Sequence, residues 1–361
     1  SRGPGVLDFA ELIKQVVRSG ASDLHVAAGS PPIVRLNGEL VRVGDTPLTP
    51  AETRQIVYGI LNQSQRQRLE EELEIDFSYS VPGLVRFRVN AYHQRASLGA
   101  ALRVVPTAVR TLGELNLPPA IGQWVTKPRG LVLVTGPTGS GKSTTLAALV
   151  DAINESRACH IMTVEDPIEF LHTSKRAVVN QREVGGDTHS FSAALRSALR
   201  QDPDVILLGE MRDLETMQIA LTAAETGHLV FGTLHTSDAP QTVDRIIDVF
   251  PSHQQGQVRT MLSNALEGVC TQQLVPTVSG GRVVVCEVLS PTPAVRNLIR
   301  EGKTHQIYSV MQTGSKHGMQ TMDAALAHLV QRGTIRPDVA MERACAEDEL
   351  RRLLGMGAQA A

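Results

Sequence analysis

Residues 136–143 read Gly136-Pro137-Thr138-Gly139-Ser140-Gly141-Lys142-Ser143. This stretch matches the phosphate-loop pattern GxxxxGK[ST] in full. It follows the apolar run 131–134, which favours a strand, and it precedes the helix-favouring run 144–149. Strand, glycine-rich loop and helix therefore occur in the order that a phosphate-binding loop requires.

The residue types in this stretch suit a nucleoside triphosphate. Glycines let successive backbone N–H groups turn toward phosphates, Lys142 can reach the β and γ oxygens, and the Ser143 hydroxyl can join a Mg²⁺ shell. We therefore predict that residues 136–144, ending at Thr144, bind the phosphates of ATP, with Ser143 on the metal. The alternative is a Gly/Ser-rich turn that matches the pattern by chance, and the flanking strand and helix patterns weigh against it.

Length and composition set the class of protein. A chain of 361 residues with 42% hydrophobic content is long enough for about two domains. Its 35 basic and 37 acidic residues nearly cancel, so the net charge does not point to nucleic acid or to an anionic membrane. No apolar run of about 18 residues and no export signal is visible, and the scattered cysteines form no CxxC pair. These features predict a cytoplasmic protein without a transmembrane segment.

Residues 6–105 carry the pattern of a smaller α+β domain. Apolar residues from Leu7 to Val17 have helical spacing, which ends at Ser19-Gly20. The Asn37-Gly38 dipeptide between two short apolar runs predicts a hairpin. Further on, the sequence predicts one helical segment over about 50–72 and strands at 75–79, 85–92 and 98–105.

The rest of the chain is predicted to be an α/β domain with a helical end. Prolines and glycines punctuate residues 106–128, which predicts an interdomain linker with a short helix around Trp124. Residues 129–290 alternate apolar strands with helical stretches, which predicts a mostly parallel sheet covered by helices, and residues 291–354 are predicted to be helical. The strands are expected at 131–134, 161–164, 205–208, 229–232 and 283–289.

A second nucleotide element is indicated by the apolar run 205–208, which ends in Gly209-Glu210. The carboxylate of Glu210 would emerge at the carboxyl edge of the sheet, where open α/β sheets place ligands. There it could polarise the attacking water or hold Mg²⁺ opposite Ser143. Taken alone the pattern is weak, because many strands end in glutamate.

Two polar segments follow other predicted strands. Glu165, Asp166 and Glu169 lie so close in sequence that a cation would be needed to offset their repulsion, which makes Glu165 and Asp166 candidates for the metal shell. The alternative is a set of solvated turn charges. His228 and His235 bracket the apolar run 229–234; His235 could sense the γ-phosphate, whereas a hydrogen-bonded structural role is the alternative for His228.

Three arginines of the first domain are candidates for supplying positive charge to the nucleotide. Alternation over 85–92 places Arg86, Arg88 and Asn90 on one face of a strand, and Arg103 lies on the next predicted strand. A guanidinium suits the charge that develops on a phosphoryl group. A solvated strand face is the alternative.

The order of these segments resembles that of the type II/IV secretion system ATPases. The phosphate loop, the acidic segment 163–170, the strand ending in Glu210 and the histidine segment 227–236 correspond to the family's Walker A, Asp box, Walker B and His box. Residues 294–301, AVRNLIRE, further resemble a signature of the pilus-retraction members, with Val295 as the one departure. Similarity also appears at 22–25, 86–90 and 180–185, so the resemblance covers nearly the whole chain.

This resemblance implies a RecA-like P-loop ATPase domain joined to a PAS-like N-terminal domain, assembled as a homohexameric ring. It implies ATP hydrolysis with Mg²⁺, driving type IV pilus retraction from the cytoplasmic face of the inner membrane against a platform protein. The implied catalytic residues are Glu210, Glu165 and His235, with positive charge from Arg86, Arg88 and Arg103. Residues 136–144 and His228 would contact nucleotide, and Ser143, Glu165 and Glu210 would hold the metal.

Other functions stay open at this stage. Pilus-extension and type II secretion ATPases typically carry a tetracysteine zinc site, which a chain without CxxC lacks. A nucleic-acid translocase would need a groove that binds a strand. The near-neutral charge and the 3% aromatic content of this chain do not indicate such a groove. A nucleotide-binding scaffold without turnover is a third possibility. Within 294–301, Arg296, Asn297, Arg300 and Glu301 are expected to face solvent or a partner.

Overall fold

The computed structural model describes residues 8–356 and divides the chain into two units, one up to Pro106 and the other from Thr107. Leu7 and the first residue of the predicted domain 6–105 lie outside the described residues. The predicted linker 106–128 falls almost entirely within the second unit.

The first unit contains an antiparallel sheet with the strand order β3-β2-β1-β6-β5-β4. Its apolar core includes Leu12, Leu24, Val57, Phe87 and Leu102. The predicted α+β character is therefore confirmed, while its likeness to a PAS domain stays a prediction. The elements are α1 (Phe9–Ser19), β1 (Asp23–Ala27), β2 (Ile33–Leu36), β3 (Glu39–Arg42), α2 (Pro50–Ile60), α3 (Gln63–Glu72), β4 (Glu74–Val81), β5 (Val85–Gln94) and β6 (Ser97–Val104).

Turn and cap residues define the elements of this unit as the sequence predicts. Helix α1 ends at Ser19 and is capped by Gly20, whose φ of +69° is left-handed. Asn37 and Gly38 both have positive φ, at 50° and 89°, as a tight two-residue hairpin turn requires. On β5, Phe87, Val89 and Ala91 are buried. The predicted alternation of that strand is confirmed.

The single helical segment predicted over 50–72 is wrong in one respect, because the chain forms two helices there. Helix α2 ends at Ile60, and Asn62 begins α3 by accepting a hydrogen bond from the backbone N–H of Gln65 at 2.8 Å. The Gln65 side chain accepts in return from the N–H of Asn62 at 2.9 Å. This capping box starts a new helix in a polar stretch, where the spacing of apolar residues does not mark a boundary.

The second unit is built on a seven-stranded sheet with the order β13-β12-β7-β11-β10-β8-β9. Every neighbouring pair is parallel except β12 and β13, so the predicted mostly parallel sheet is confirmed. The sequence pattern predicts neither β9 nor β12, because β9 carries four polar residues in six and β12 follows a helix with no intervening turn. The strands are β7 (Gly130–Thr135), β8 (His160–Glu165), β9 (Val178–Glu183), β10 (Val205–Leu208), β11 (Leu229–Leu234), β12 (Leu266–Pro276) and β13 (Arg282–Leu289).

Helices accompany this sheet and fill the C-terminal part of the described chain, as predicted from residue 291 onward. Apolar faces of α7, α8 and α9 contribute Leu221, Ile246 and Leu262 to a core with the sheet. The helices are α4 (Pro119–Gly122), α5 (Lys142–Ser156), α6 (Phe191–Ala198), α7 (Leu214–Glu225), α8 (Ala239–Asp248), α9 (Ser252–Ala265), α10 (Pro293–Arg300), α11 (Ile307–Gln312), α12 (Met322–Gln331), α13 (Pro337–Arg343) and α14 (Glu347–Leu353).

The chain just before the sheet packs tightly against β12. Trp124, the only tryptophan in the sequence, lies in a short 3₁₀ turn and is 3% exposed. A Cβ added to Gly268 on β12 would lie 2.3 Å from the Trp124 ring, so this position needs glycine. The predicted short helix around Trp124 is present as α4 and the 3₁₀ turn that follows it.

Candidate active site

The loop from Gly136 to Gly141 joins the end of β7 to the first residue of α5, Lys142. Gly136, Gly139 and Gly141 have φ values of +140°, +79° and +88°, which lie in the region that favours glycine. The N-terminus of α5 presents unpaired backbone N–H groups and the positive end of the helix dipole. The loop therefore has the form of an anion-binding site.

Lys142 lies across this loop. Its ammonium donates hydrogen bonds to the carbonyl oxygens of Gly136 and Pro137, at 2.8 and 3.1 Å. Burial lowers the pKa of Lys142, and the charges of Glu210 and Glu169 partly oppose that shift. Within residues 8–356, the buried Ser140 hydroxyl has no hydrogen-bond partner. The Lys142 ammonium is hydrogen-bonded to uncharged carbonyl groups, and the Ser140 hydroxyl can still donate a hydrogen bond. Both groups are therefore suited to binding a phosphate.

Glu210 follows β10 and lies close to two basic side chains. One carboxylate oxygen is 2.5 Å from Nε of Arg212 and 3.0 Å from Nε2 of His235. Burial alone would raise the pKa of Glu210, but the hydrogen bond and charge of Arg212, together with His235, bring it below its ordinary value. Glu210 is therefore an ionised carboxylate near neutral pH, held in place by two partners.

One open cleft of about 410 Å³ collects these groups. The loop residues Lys142, Ser143 and Thr144 line it together with Glu210 and His235. The acidic residues Asp166 and Glu169 line the same cleft. The structure thus brings together predicted site residues from the loop, from the end of β10 and from the histidine segment.

Glu165 lies at the end of β8 in a smaller chamber, which it lines with Ser143 and Glu210. One of its oxygens accepts hydrogen bonds from Thr163 Oγ1 at 2.7 Å and Gln181 Nε2 at 3.1 Å. Burial raises the pKa of Glu165 to about 7, against the lowering effect of these two donors. Ser143, Glu165 and Glu210 therefore line one chamber, and their shared binding of a metal stays a prediction.

The donor set suits Mg²⁺ only in combination with a nucleotide. Among the described residues, no group of three or more His, Cys, Asp or Glu side chains is arranged to hold a metal ion. Magnesium is usually bound by one or two carboxylates together with substrate phosphates, rather than by a cage of protein ligands. One hydroxyl and two carboxylates fit that mode of binding.

His228 is placed away from this group. It precedes β11 at the amino end, whereas His235 follows the carboxyl end of the same six-residue strand, about 20 Å away at the usual rise per residue. The Nδ1 atom of His228 lies 3.1 Å from the carbonyl oxygen of Ala223. Within one chain, His228 therefore lies away from the loop, and its predicted contact with nucleotide stays a prediction.

The three arginines lie on the sheet of the first unit. Nε of Arg103 donates to Asp23 at 2.8 Å, and Nη1 of Arg86 donates to the Ser80 hydroxyl at 3.2 Å. Arg88 is exposed on β5, in register with Arg103 of β6. Their action on the nucleotide stays a prediction.

Three further polar side chains, Gln181, Arg212 and Gln272, lie at or beside the site and are not among the predicted site residues. Arg212 follows Glu210 by two residues, so the spacing could have suggested it. Gln181 and Gln272 lie on β9 and β12, the two strands that were not predicted. A second cleft of about 620 Å³ adjoins the loop at Gly141 and Thr144 and is also lined by Arg110, Asn116 and Arg282.

Helix α10 corrects the expectation that Arg296 faces solvent or a partner. Val295 and Ile299 are buried as predicted, and Arg300 is exposed. However, the Arg296 guanidinium donates to the carbonyl oxygens of Ser263 and Asn264, at 2.5 and 3.2 Å, at the end of α9. It also lies 3.4 Å from Glu267, which in turn contacts Lys127 at 2.7 Å. Arg296 therefore joins α10 to the end of α9 within the chain.

No helix within residues 8–356 combines the length and the apolar character needed to cross a bilayer.

The chain is similar to known proteins over most of its length. Residues 3–280 match the family model described as type II/IV secretion system protein. The chain is 54% identical over 338 residues to the type IV pilus retraction ATPase PilT of Pseudomonas aeruginosa, covering 94% of this chain and 98% of that protein. It is 52% identical over 314 residues to a twitching motility protein of Neisseria gonorrhoeae, covering 87% of this chain and 84% of that protein.

A solved structure extends the likeness to the fold. The crystal structure of the pilus retraction motor PilT with bound ADP superposes with a TM-score of 0.88 at 50% identity, covering 96% of this chain and 99% of that one. The predicted RecA-like α/β fold and the predicted resemblance to retraction ATPases are thereby confirmed. The chain belongs to the family of type II/IV secretion system ATPases.

Proposed function

We propose that this chain is a motor ATPase whose hydrolysis of ATP drives type IV pilus retraction and twitching motility. The observation that carries the proposal is the ionised Glu210, held by Arg212 and His235 in the cleft that Lys142 and Ser143 line. The high identity to a pilus retraction ATPase over nearly the full length of both chains supports the same function.

The reaction would be transfer of the γ-phosphoryl group of ATP to water. The loop N–H groups and Lys142 would hold the β- and γ-phosphates, and Glu210 would orient the attacking water and accept its proton. His235 would stabilise the carboxylate of Glu210 and respond to the state of the γ-phosphate. Ser143, Glu165 and Glu210 would hold Mg²⁺, which neutralises charge on the phosphate oxygens when it is bound.

The nucleoside would occupy the second cleft. This cleft adjoins the start of α5 and is lined by apolar side chains such as Phe170 and Leu274 as well as by polar ones such as Asn116. Apolar walls with a few polar groups are typical of sites for the base and sugar of a nucleotide. Its volume of about 620 Å³ is ample for both.

Assembly and location follow the family resemblance. We propose a homohexamer at the cytoplasmic face of the inner membrane, acting on a platform protein of the pilus. Arg86, Arg88 and Arg103 would supply positive charge to a nucleotide from the first domain, so that occupancy is coupled to the relative angle of domains. Pilus extension, type II secretion and nucleic-acid translocation are the alternative functions.

The first test removes the charge of Glu210. Glu210→Gln should lower kcat for ATP hydrolysis by at least about 100-fold, because an amide cannot accept the proton of the attacking water. ADP binding should persist. Glu225→Gln, an exposed glutamate at the end of α7, is the matched control and should hydrolyse at the wild-type rate. Phosphate release and fluorescent-ADP titration measure the two properties.

The same variants test the cellular role. In a piliated strain that lacks its retraction ATPase, wild type and Glu225→Gln should restore twitching, and Glu210→Gln should not. Hydrolysis without restored twitching would favour extension or secretion. Stimulation of hydrolysis by single-stranded DNA, with weaker binding at higher salt, would favour translocation. Absence of turnover in wild type would leave only a nucleotide-binding scaffold.

A further inference from the structure

Gln272 lies on β12, beside the strand that leads into the phosphate loop, and its side chain is fully buried. Its Nε2 donates a hydrogen bond to the carbonyl oxygen of Ser140 at 2.8 Å. Its Oε1 accepts one from the hydroxyl of Thr145 at 2.9 Å. One buried amide therefore contacts both the loop and helix α5.

The orientation of this amide is fixed by its partners. The Ser140 carbonyl oxygen can only accept a hydrogen bond, so it requires the NH₂ end of Gln272. The buried Thr145 hydroxyl then donates to the other end. Because both polar ends are satisfied inside the protein, a rotated amide would leave two buried groups without partners.

The contact with Ser140 also fixes a donor of the loop. The carbonyl of Ser140 and the N–H of Gly141 belong to one planar peptide group and point in opposite directions. Since Gln272 holds the carbonyl toward β12, the N–H of Gly141 points away from β12. Gly141 lines the cleft that also contains Lys142 and Ser143. A carbonyl turned into that cleft would instead repel a phosphate.

Two glycines of the loop lie so close to Gln272 that a larger residue would crowd it. A Cβ on Gly136 would lie 2.3 Å from the backbone oxygen of Gln272, and a Cβ on Gly141 would lie 3.2 Å from its Nε2. Gln272 therefore contacts the loop near its first and its last glycine. Its side chain and backbone therefore pack against both ends of the loop.

We propose that Gln272 is a positioning residue, which holds the Ser140–Gly141 peptide in the orientation that binds phosphate. The inference rests on the proposed nucleotide binding at this loop. Gln272 acts through the loop backbone and has no role in the chemical step. Its loss should therefore weaken nucleotide binding in the ground and transition states alike.

The test replaces the donor with an acceptor of the same shape. Gln272→Glu is measured at about pH 9, so that the buried carboxyl is ionised and cannot donate a hydrogen bond. A carboxylate oxygen then faces the Ser140 carbonyl, so the peptide should rotate or shift. We expect the Kd for ADP and the KM for ATP to rise by about 10- to 100-fold, with kcat at saturating ATP within about threefold of wild type. Gln272→Met, which removes the donor without adding charge, should change both constants in the same direction even if the glutamate variant fails to fold.

The neighbouring Gln273 offers a matched control. It is half-buried on the same strand, and Gln273→Glu adds the same charge one residue away from the loop contact. This variant should bind ADP as wild type does. The melting temperature of each protein without nucleotide is measured alongside, because a merely structural role would lower that temperature while leaving the Kd unchanged.

The outcomes are distinguishable. An unchanged Kd for ADP in a folded Gln272→Met or Gln272→Glu protein would overturn the positioning role, as would a loss of kcat with KM unchanged. Equal weakening in Gln273→Glu would assign the effect to charge on β12 and would also overturn it. If wild type itself fails to bind ADP, the proposed ATPase function fails first.

Discussion

At the scale of single residues, Glu287 links stability to pH. It is 1% exposed on β13, and its two oxygens accept the backbone N–H groups of Ala239 and Met322, at 2.8 and 3.2 Å. These are the first residues of α8 and α12. Burial, reinforced by Asp238 and Asp323, raises the pKa of Glu287 from 4.5 to about 7 despite both hydrogen bonds.

The sign of the effect follows from this shift. Between about pH 4.5 and 7 the native protein keeps a proton on Glu287 that the unfolded chain has lost, so the free energy of unfolding falls as pH rises through that range. The contribution is at most about 3 kcal/mol. Urea titrations of wild type and Glu287→Gln should show a stability difference that shrinks from pH 4.5 to 7. A constant difference across this range would contradict the prediction.

Residues of the site differ in how far sequence could predict them. Lys142 and Ser143 lie within a contiguous motif, and Glu210 follows an apolar run, so the local pattern is enough to predict them. Gln272 contacts Ser140 across 132 positions of sequence, and β12 gave no strand signal of its own. Side chains that act through such long-range hydrogen bonds become visible only when the strands are placed side by side.

At the scale of secondary structure, Arg296 joins two helices. Its guanidinium satisfies carbonyl groups at the end of α9 while its backbone belongs to α10. Arg296→Ala should lower the free energy of unfolding by about 1 to 3 kcal/mol, because those carbonyls and Glu267 lose a charged donor. Chemical denaturation measures this change.

Arg300 is the matched control on the same helix. It is exposed, so Arg300→Ala should change stability by less than about 0.5 kcal/mol. Equal losses in the two variants would contradict the assignment of Arg296. Any test of α10 in twitching is therefore cleaner with Arg300 than with Arg296, whose replacement also disturbs folding.

Element boundaries show why periodicity predicts some features and misses others. The phosphate loop and the Asn37-Gly38 hairpin carry glycine at positions of positive φ, so the residue type itself marks the turn. The break between α2 and α3 depends on a reciprocal hydrogen bond between Asn62 and Gln65. Polar residues that cap a helix resemble those on its solvent face, and apolar spacing does not separate them.

At the scale of the whole molecule, the two units have separate apolar cores: one includes Leu24 and Phe87, the other Leu133 and Ile206. Every residue of the phosphate loop belongs to the second unit, and the candidate arginines belong to the first. If those arginines serve catalysis, Arg88→Ala should lower kcat by about 1,000-fold or more and spare ADP binding. Arg42→Ala, exposed on β3, is the control.

A steady-state ATPase assay of Arg88→Ala and Arg42→Ala measures the predicted difference in kcat. Full activity in Arg88→Ala would remove Arg88 from the catalytic set and leave Arg86 and Arg103 to be tested in turn. The replacement of Arg103 also breaks its ion pair with Asp23, so a melting curve must accompany that variant.

The packing of Trp124 on Gly268 gives the protein an internal optical reporter. A chain with one indole, buried beside β12, emits from a single site, and its spectrum should be blue-shifted relative to an exposed indole. Fluorescence during denaturation should therefore follow the second unit alone, while far-ultraviolet circular dichroism follows both. Two transitions in the dichroism signal, of which the emission tracks only one, would reveal units that unfold independently; coincident curves would reveal a single cooperative transition.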